Sequence, residues 1–267
     1  MSRWDVTEED GVVVAALNDP PDNYLNGEAI AQFTALIPRW RADDINAIIV
    51  TSAVQDRYLT HGSCEEILGF AQDLDAIGLG APEIIGGVHA MVQALTMLDK
   101  PVIAAITGHA MGLGLELSLN CDLRIQKRGD YVLGFPEVSL GFMTGSGSLL
   151  LARTVGSGRA MDMMMRSRLI GPDEALAIGL VTELADDPLA RARHIARRLK
   201  AMPRTAVVAA KRAIVRGGNL PIAEGLRIEA DEWTRTFRAG DWVERMRAYT
   251  AEPFDARPDW IRRNGAA

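Results

Sequence analysis

Two glutamates are candidates for acid and base chemistry. Glu116 lies in the apolar run 113–119, which has the character of a buried helix, and Glu137 directly follows Pro136. A buried carboxylate needs hydrogen bonds or an altered pKa, because desolvating its charge is costly. As a pair, one carboxylate can hold a water as base while the other exchanges a proton with carbon. Local sequence also allows a structural ion pair for Glu116 and a surface position for Glu137.

Two glycine turns could stabilise negative charge beside these carboxylates. One spans residues 58–66 and contains Gly62, and the other spans residues 108–116. Each follows a predicted buried strand and leads into a predicted helix. Amides at a helix start are free to bind an anion or a developing oxyanion, and in the first turn these belong to Ser63 and Cys64. Ordinary strand-to-helix turns have the same appearance in sequence.

Several other kinds of site are excluded by pattern. In the second turn, Gly112 and Gly114 are followed by Leu117 where a dinucleotide-binding loop needs its third glycine. The chain has no phosphate-binding Gly-Lys-Ser/Thr sequence and no Gly-x-Ser-x-Gly nucleophile turn. Its histidines lack metal-ligand spacing, so we predict no metal site.

Composition bounds the partners and the location of the protein. The 267 residues carry a net charge of −6, which argues against binding to nucleic acid or to acidic membranes. Cys64 and Cys121 cannot form a disulfide framework, and residues 1–10 do not resemble a signal peptide. The most apolar stretch, 101–119, contains Glu116 and makes a poor membrane span. These features predict a cytoplasmic protein without nucleic-acid or membrane partners.

Strands and helices alternate over the first part of the chain. Apolar spacing predicts helices at 27–40, 65–74 and 82–98, and strands at 11–17, 47–50, 102–106, 123–125 and 131–135. Such alternation is typical of an α/β fold with parallel strands. Residues 188–251 are almost entirely helical in pattern. We therefore predict a core at 1–200 and a helical region at 201–267.

In several of these segments the sequence resembles the crotonase (enoyl-CoA hydratase/isomerase) family, and the resemblance extends over roughly residues 10–255. The strongest match is residues 100–117, KPVIAAITGHAMGLGLEL, which resemble the family pattern KPVIAAVNGYALGGGCEL. Residues 121–125 match CDIRI, and residues 135–141 match the strand that carries PE and LG. Two earlier segments, 18–25 and 58–66, resemble the family's NxPPxNAL turn and FSAGADLKE loop.

The resemblance implies a fold, an assembly and a reaction. The implied fold is a crotonase (ClpP-like) spiral of ββα units with a helical C-terminal trimerisation region, assembled as a homotrimer or dimer of trimers. The implied reaction is reversible hydration of a 2-enoyl-CoA to a 3-hydroxyacyl-CoA through an enolate. Hydratases of the family carry both glutamates, here Glu116 and Glu137. The oxyanion amides fall on Ser63 and Leu113, and no cofactor is implied beyond the coenzyme A of the substrate.

Substrate-binding positions also follow from the resemblance. They are Asn23, Tyr24, Leu25, Arg57, Thr60, His61, Gly62 and Gly112. Departures from the family pattern are Leu113 in place of glycine and Cys64 in place of aspartate, together with a loss of positive charge near the expected phosphate contacts. An acyl-carrier-protein thioester is therefore a second possible substrate. An enoyl-CoA isomerase, a C–C lyase and a catalytically silent acyl-thioester-binding protein remain alternatives.

Overall fold

Apolar strands form a six-stranded sheet at the centre of the molecule. The computed structural model describes residues 2–70 and 82–265. Within these ranges the strands are β1 Trp4–Glu9, β2 Val12–Leu17, β3 Ala47–Ser52, β4 Val102–Ile106, β5 Ala110–Met111, β6 Leu123–Lys127, β7 Leu133–Gly134, β8 Leu169–Ile170 and β9 Glu183–Ala185. The large sheet has the order β1-β2-β3-β4-β6-β9, and its strands are parallel except for β1.

Helices pack on both faces of this sheet and also form the C-terminal region. They are α1 Gly27–Trp40, α2 Cys64–Phe70, α3 Pro82–Thr96, α4 Gly112–Leu119, α5 Glu137–Leu140, α6 Gly147–Val155, α7 Ser157–Met165, α8 Pro172–Ala177, α9 Pro188–Lys200, α10 Arg204–Arg212, α11 Ile222–Ala239, α12 Val243–Ala251 and α13 Arg257–Asn264. Residues of α1, α3 and α4 share one apolar cluster with Ile48 and Val50, whereas α9 shares the other with Ile49 and Ile103. Strands buried on both faces are therefore continuously apolar, as β4 is.

A second, smaller sheet sets the positions of the two glutamates. Strand β5 pairs in parallel with β7, with Ala110 opposite Leu133, and β8 pairs antiparallel on the other side of β7. Strand β5 leads directly into α4, which carries Glu116, and Glu137 lies three residues after the end of β7. Pairing of these two short strands thus brings together the starts of the two segments that carry the carboxylates.

The predicted elements agree closely with the structure in the core. Helix α1 and strand β4 have the predicted bounds, and β3 extends the predicted strand by two residues to Ser52. Helix α2 begins at Cys64, and residues 71–74 of the predicted helix lie outside the described residues. Strand β1 was missing from the prediction, since only its Trp4 is fully buried and its other residues have the polarity of an exposed edge.

The C-terminal region is helical, as predicted, and its apolar side chains are largely exposed. In α11, Glu232 is the buried residue, while Trp233 and Phe237 stack on each other with 59% and 45% of their surfaces exposed. The boundary at residue 200 stays a prediction. Among the helices of the described ranges, none combines the length and the apolarity needed to cross a membrane.

Candidate active site

Both glutamates face one cavity of about 500 Å³. Its polar edge includes His61, Ser63, Glu116 and Glu137. Most of the remaining wall is apolar and consists of Leu25, Ile30, Ile67, Ile85, Val88, Leu113, Leu140, Phe142 and Met143. A cavity of this kind suits an apolar chain that carries a polar reacting group at one end.

Glu116 is held as an acceptor of three hydrogen bonds. The amide of Gly145 donates to its Oε1 at 3.1 Å, while the amide and hydroxyl of Ser146 both donate to its Oε2, the hydroxyl at 2.6 Å. The residue is 2% exposed, so these bonds replace water around the carboxylate. An ionised carboxylate only accepts, and charge-assisted bonds of this kind are strong. The Glu116 side chain is thereby fixed in one orientation.

The segment that binds Glu116 lies directly before α6, where a serine commonly caps the helix. Ser146 precedes α6, but its side chain makes no capping bond to that helix and instead contacts Glu116. The two residues are 30 positions apart, so local spacing contains no signal of their contact. Gly147 follows at a crowded point, where a Cβ would come within 2.5 Å of the Phe135 ring. Only glycine fits there without displacing this ring.

Glu137 has the opposite environment. It begins α5 and is 6% exposed, and its Oε2 is buried without a hydrogen-bond partner in the described parts of the chain. Burial raises the pKa of Glu137 to about 7, and the negative charge of Glu116 adds to this effect. Near neutral pH the group is therefore divided between its acid and its carboxylate forms. Gly112 makes room for it, because a Cβ on Gly112 would lie 2.6 Å from Glu137 Oε1.

The two predicted oxyanion amides differ in their availability. The Leu113 amide lies in the first turn of α4, and no described group accepts a hydrogen bond from it. The Ser63 amide was expected to be free, but it donates to the Leu25 carbonyl at 3.1 Å. The reason is a short parallel bridge between Leu25 and Gly62, which uses the amide that follows Gly62. In the structure as it stands, one of the two amides is unpaired.

Some of the predicted binding residues lie on the cavity and others do not. Leu25, His61 and Gly62 line it, whereas the described wall does not include Asn23, Tyr24, Arg57, Thr60 or Gly112.

Asn23 and Thr60 have structural hydrogen bonds. Asn23 is fully buried, and its side chain accepts from the Asp19 amide and donates to Ser52 Oγ and the Tyr58 carbonyl. Thr60 donates to the Asp22 carbonyl. The polar groups of both side chains are thus used within the protein. Their sequence pattern predicts a turn beside the site, and in the structure both side chains stabilise that turn.

Tyr24 and Arg57 lie outside the cavity. The Tyr24 ring stacks on His61 with 4.5 Å between ring centroids, so it contacts the site through a residue of the cavity wall. Arg57 is exposed, and its guanidinium has no described partner. Arg57 therefore presents an uncompensated positive charge near the start of the first glycine turn.

Known proteins are similar to this chain in sequence and in fold. The family described as enoyl-CoA hydratase/isomerase matches residues 7–257. A short-chain-enoyl-CoA hydratase of Clostridium acetobutylicum is 30% identical, with 91% of this chain and 93% of the relative covered. A crotonyl-CoA hydratase of Syntrophomonas wolfei is 29% identical, with coverage of 91% and 92%. A crystal structure of an enoyl-CoA hydratase from Bacillus anthracis has a TM-score of 0.83 at 26% identity, covering 93% and 96% of the two chains.

The raised pKa of Glu137 predicts a pH-dependent effect of Glu137→Gln on stability. The folded-state pKa of about 7 exceeds the ordinary value of 4.5, so the folded protein binds the proton more tightly and loses stability as pH rises between these values. The glutamine variant lacks this loss. We compare the free energy of unfolding of the variant with that of wild type. This difference should rise in favour of the variant by about 2 kcal/mol from acidic to mildly alkaline pH. Urea denaturation of both proteins at both pH values measures this difference.

Asp130→Asn is the matched control for this measurement. Asp130 is exposed in the turn before β7 and has no ion pair in the described structure. Its substitution should change stability by the same small amount at both pH values. An equal response of the two variants would show that Glu137 is not perturbed.

Proposed function

The chain belongs to the enoyl-CoA hydratase/isomerase family, and we propose that it reversibly hydrates a 2-enoyl-CoA thioester to a 3-hydroxyacyl-CoA. The observation that carries this proposal is the contrast between two carboxylates on one cavity. Glu116 accepts three hydrogen bonds and keeps the capacity to accept one from a water, which suits a base, while Glu137 has an unpaired oxygen and a pKa of about 7, which suits an acid. The names of the similar hydratases support the same reaction.

In the proposed reaction, Glu116 holds the water and Glu137 supplies a proton. The water oxygen bonds to C3 of the enoyl group as its proton passes to Glu116, and the C2–C3 double-bond electrons shift towards the thioester oxygen. The Leu113 amide stabilises that oxygen, and the Ser63 amide joins it by exchanging the Leu25 carbonyl for the substrate. Glu137 then protonates C2. Both groups add from the cavity face that holds the two carboxylates.

The cavity supports an apolar acyl chain as the substrate's variable part, since its wall is mostly aliphatic and aromatic. The reaction requires no cofactor beyond the coenzyme A of the substrate. Arg57 is the exposed cation that we assign to the carrier phosphates. An acyl-carrier protein is the second carrier in this proposal, because it presents the same thioester on a phosphopantetheine arm.

One observation favours a second candidate, a catalytically silent acyl-thioester-binding protein. With the Ser63 amide bonded to Leu25, only half of the proposed oxyanion hole is unpaired. Removing one such donor commonly slows catalysis by about a hundredfold or more. Tight binding of enoyl-CoA esters without any change in their mass would support this candidate, whereas addition of one water would support hydration. An isomerase would rearrange the ester at constant mass, which NMR of the product detects.

We also propose that the chain assembles through its C-terminal helices into a homotrimer or a dimer of trimers. Exposed apolar side chains at 201–265 support this assembly, among them Ile222, Trp233, Phe237 and Phe254. The core at 1–200 and the helical region at 201–267 are then two functional parts of one chain. The cytoplasm is the proposed location, which two unpaired thiols, Cys64 and Cys121, support.

The assembly proposal predicts the molar mass in solution. Light scattering should give three or six times the mass of the 29.0-kDa chain. Trp233→Asp should lower that mass, because it places a charge on an apolar face that the assembly would bury. A wild-type protein that stays monomeric at high concentration would contradict the proposal.

Replacing either glutamate should abolish most of the activity. For Glu116→Gln and Glu137→Gln we expect kcat for hydration of crotonyl-CoA to fall about a hundredfold or more, because each variant removes one proton-transfer group. Loss of the enoyl thioester absorbance measures the rate. Asp130→Asn, in the exposed turn before β7, should keep the wild-type rate. Wild-type rates in both active-site variants would contradict the assigned roles.

The pH dependence of kcat/KM should show one proton shared by the pair. Hydration begins with Glu116 ionised and Glu137 protonated, and dehydration begins with the same single proton on Glu116. Both directions should therefore lose kcat/KM together above pH about 7, where the pair loses that proton. Rates measured with crotonyl-CoA and with 3-hydroxybutyryl-CoA over one pH series test this. A rate that keeps rising well above this pH would contradict Glu137 as the acid.

A further inference from the structure

His89 lies outside the cavity wall but contacts the segment that holds Glu116. It is exposed on α3, and its Nε2 lies 2.8 Å from the carbonyl oxygen of Gly145. A carbonyl only accepts, so Nε2 carries the hydrogen and donates. No step of the proposed hydration uses this histidine. Its contact is therefore a separate feature of the molecule.

One peptide unit connects His89 with Glu116. The Gly145 carbonyl and the Ser146 amide belong to the same planar peptide group. Its oxygen accepts from His89, and its N–H donates to Glu116 Oε2. Because the group is planar, holding the oxygen also fixes the direction of the N–H. Hydrogen bonds in such a chain polarise one another, so the His89 bond strengthens the bond to Glu116.

Helix α3 is a rigid support for this contact. Its side chains Met91, Val92 and Leu95 are buried in the main apolar cluster. Val88, next to His89, packs close to Gly145, because a Cβ on Gly145 would lie 3.5 Å from Val88 Cγ1. The imidazole therefore extends from an element that the core holds in place.

Other hydrogen bonds of the Gly145 segment come mostly from its own neighbourhood. Thr144 Oγ1 accepts from the Ser148 amide, and the Phe142 amide donates to the Glu137 carbonyl. Among the described residues, His89 and Glu116 are the two side chains from other elements that hydrogen-bond to residues 142–146. Without His89, the segment would be oriented chiefly by Glu116 itself.

We propose that His89 is a positioning residue: it holds the Gly145–Ser146 peptide so that Glu116 is aimed at the attacking water. This inference rests on the proposed hydration function. It assigns no proton transfer to the imidazole. The expected consequence is a loss of turnover without a loss of substrate binding, since His89 does not line the cavity.

The test compares three variants in hydration of crotonyl-CoA. His89→Ala should lower kcat about fivefold while KM stays within about twofold of wild type. His89→Gln should recover most of that loss, because its side-chain amide can donate to the same carbonyl. His194→Ala is the matched control, since His194 is also exposed on a helix and has no polar partner in the described structure. It should keep the wild-type kcat.

The outcomes separate this inference from the function on which it rests. Thermal melting should show the same transition in all variants, because both histidines are exposed. Absence of hydration by wild type would overturn the proposed function, and the inference would fall with it. Active wild type with an unchanged kcat in His89→Ala would overturn the inference alone. An equal loss in His89→Gln and His89→Ala, or a loss confined to KM, would also overturn it.

Discussion

Burial of the Glu116 carboxylate is the constraint on which the site depends. An ionised carboxylate away from water is tolerated only where donors replace the lost hydration. Here three donors from Gly145 and Ser146 do so, and they arrive at the start of α6. Gly147, the next residue, lets α6 begin close to Glu116 and Phe135, because a Cβ there would displace the Phe135 ring. The hydrogen bonds of the Glu116 carboxylate connect α4 with the start of α6 and, through His89, with α3.

The second carboxylate gains its chemistry from burial with one oxygen unpaired. Glu137 is buried beside Glu116, and its Oε2 has no described partner, so burial raises its pKa to about 7. Two identical side chains on one cavity therefore have different surroundings. In the proposed hydration, that difference lets one cavity contain a base and an acid. The crotonase fold supplies the common position through the pairing of β5 with β7.

Much of the fold was predictable, because local physical chemistry dominates it. The bounds of α1 and β4 follow from apolar periodicity and from the turns that end them. The edge strand β1 was not predictable, since its exposed residues carry no apolar alternation. For the site, Glu116 and Glu137 were identifiable as a pair, and both face one cavity. The contact of Ser146 with Glu116 was not predictable, because the two residues are 30 positions apart in the sequence.

The sequence by itself determined the family, the strand–helix alternation and the residues able to do acid and base chemistry, since these depend on residue type and local spacing. The tertiary structure decided how each of those residues is used. It bonded the Ser63 amide to Leu25, buried the Asn23 side chain in a turn, and placed three donors on Glu116 but, among the described residues, none on the Oε2 of Glu137. Hydrogen-bond partners and burial are properties of distant segments brought together, and no local pattern encodes them.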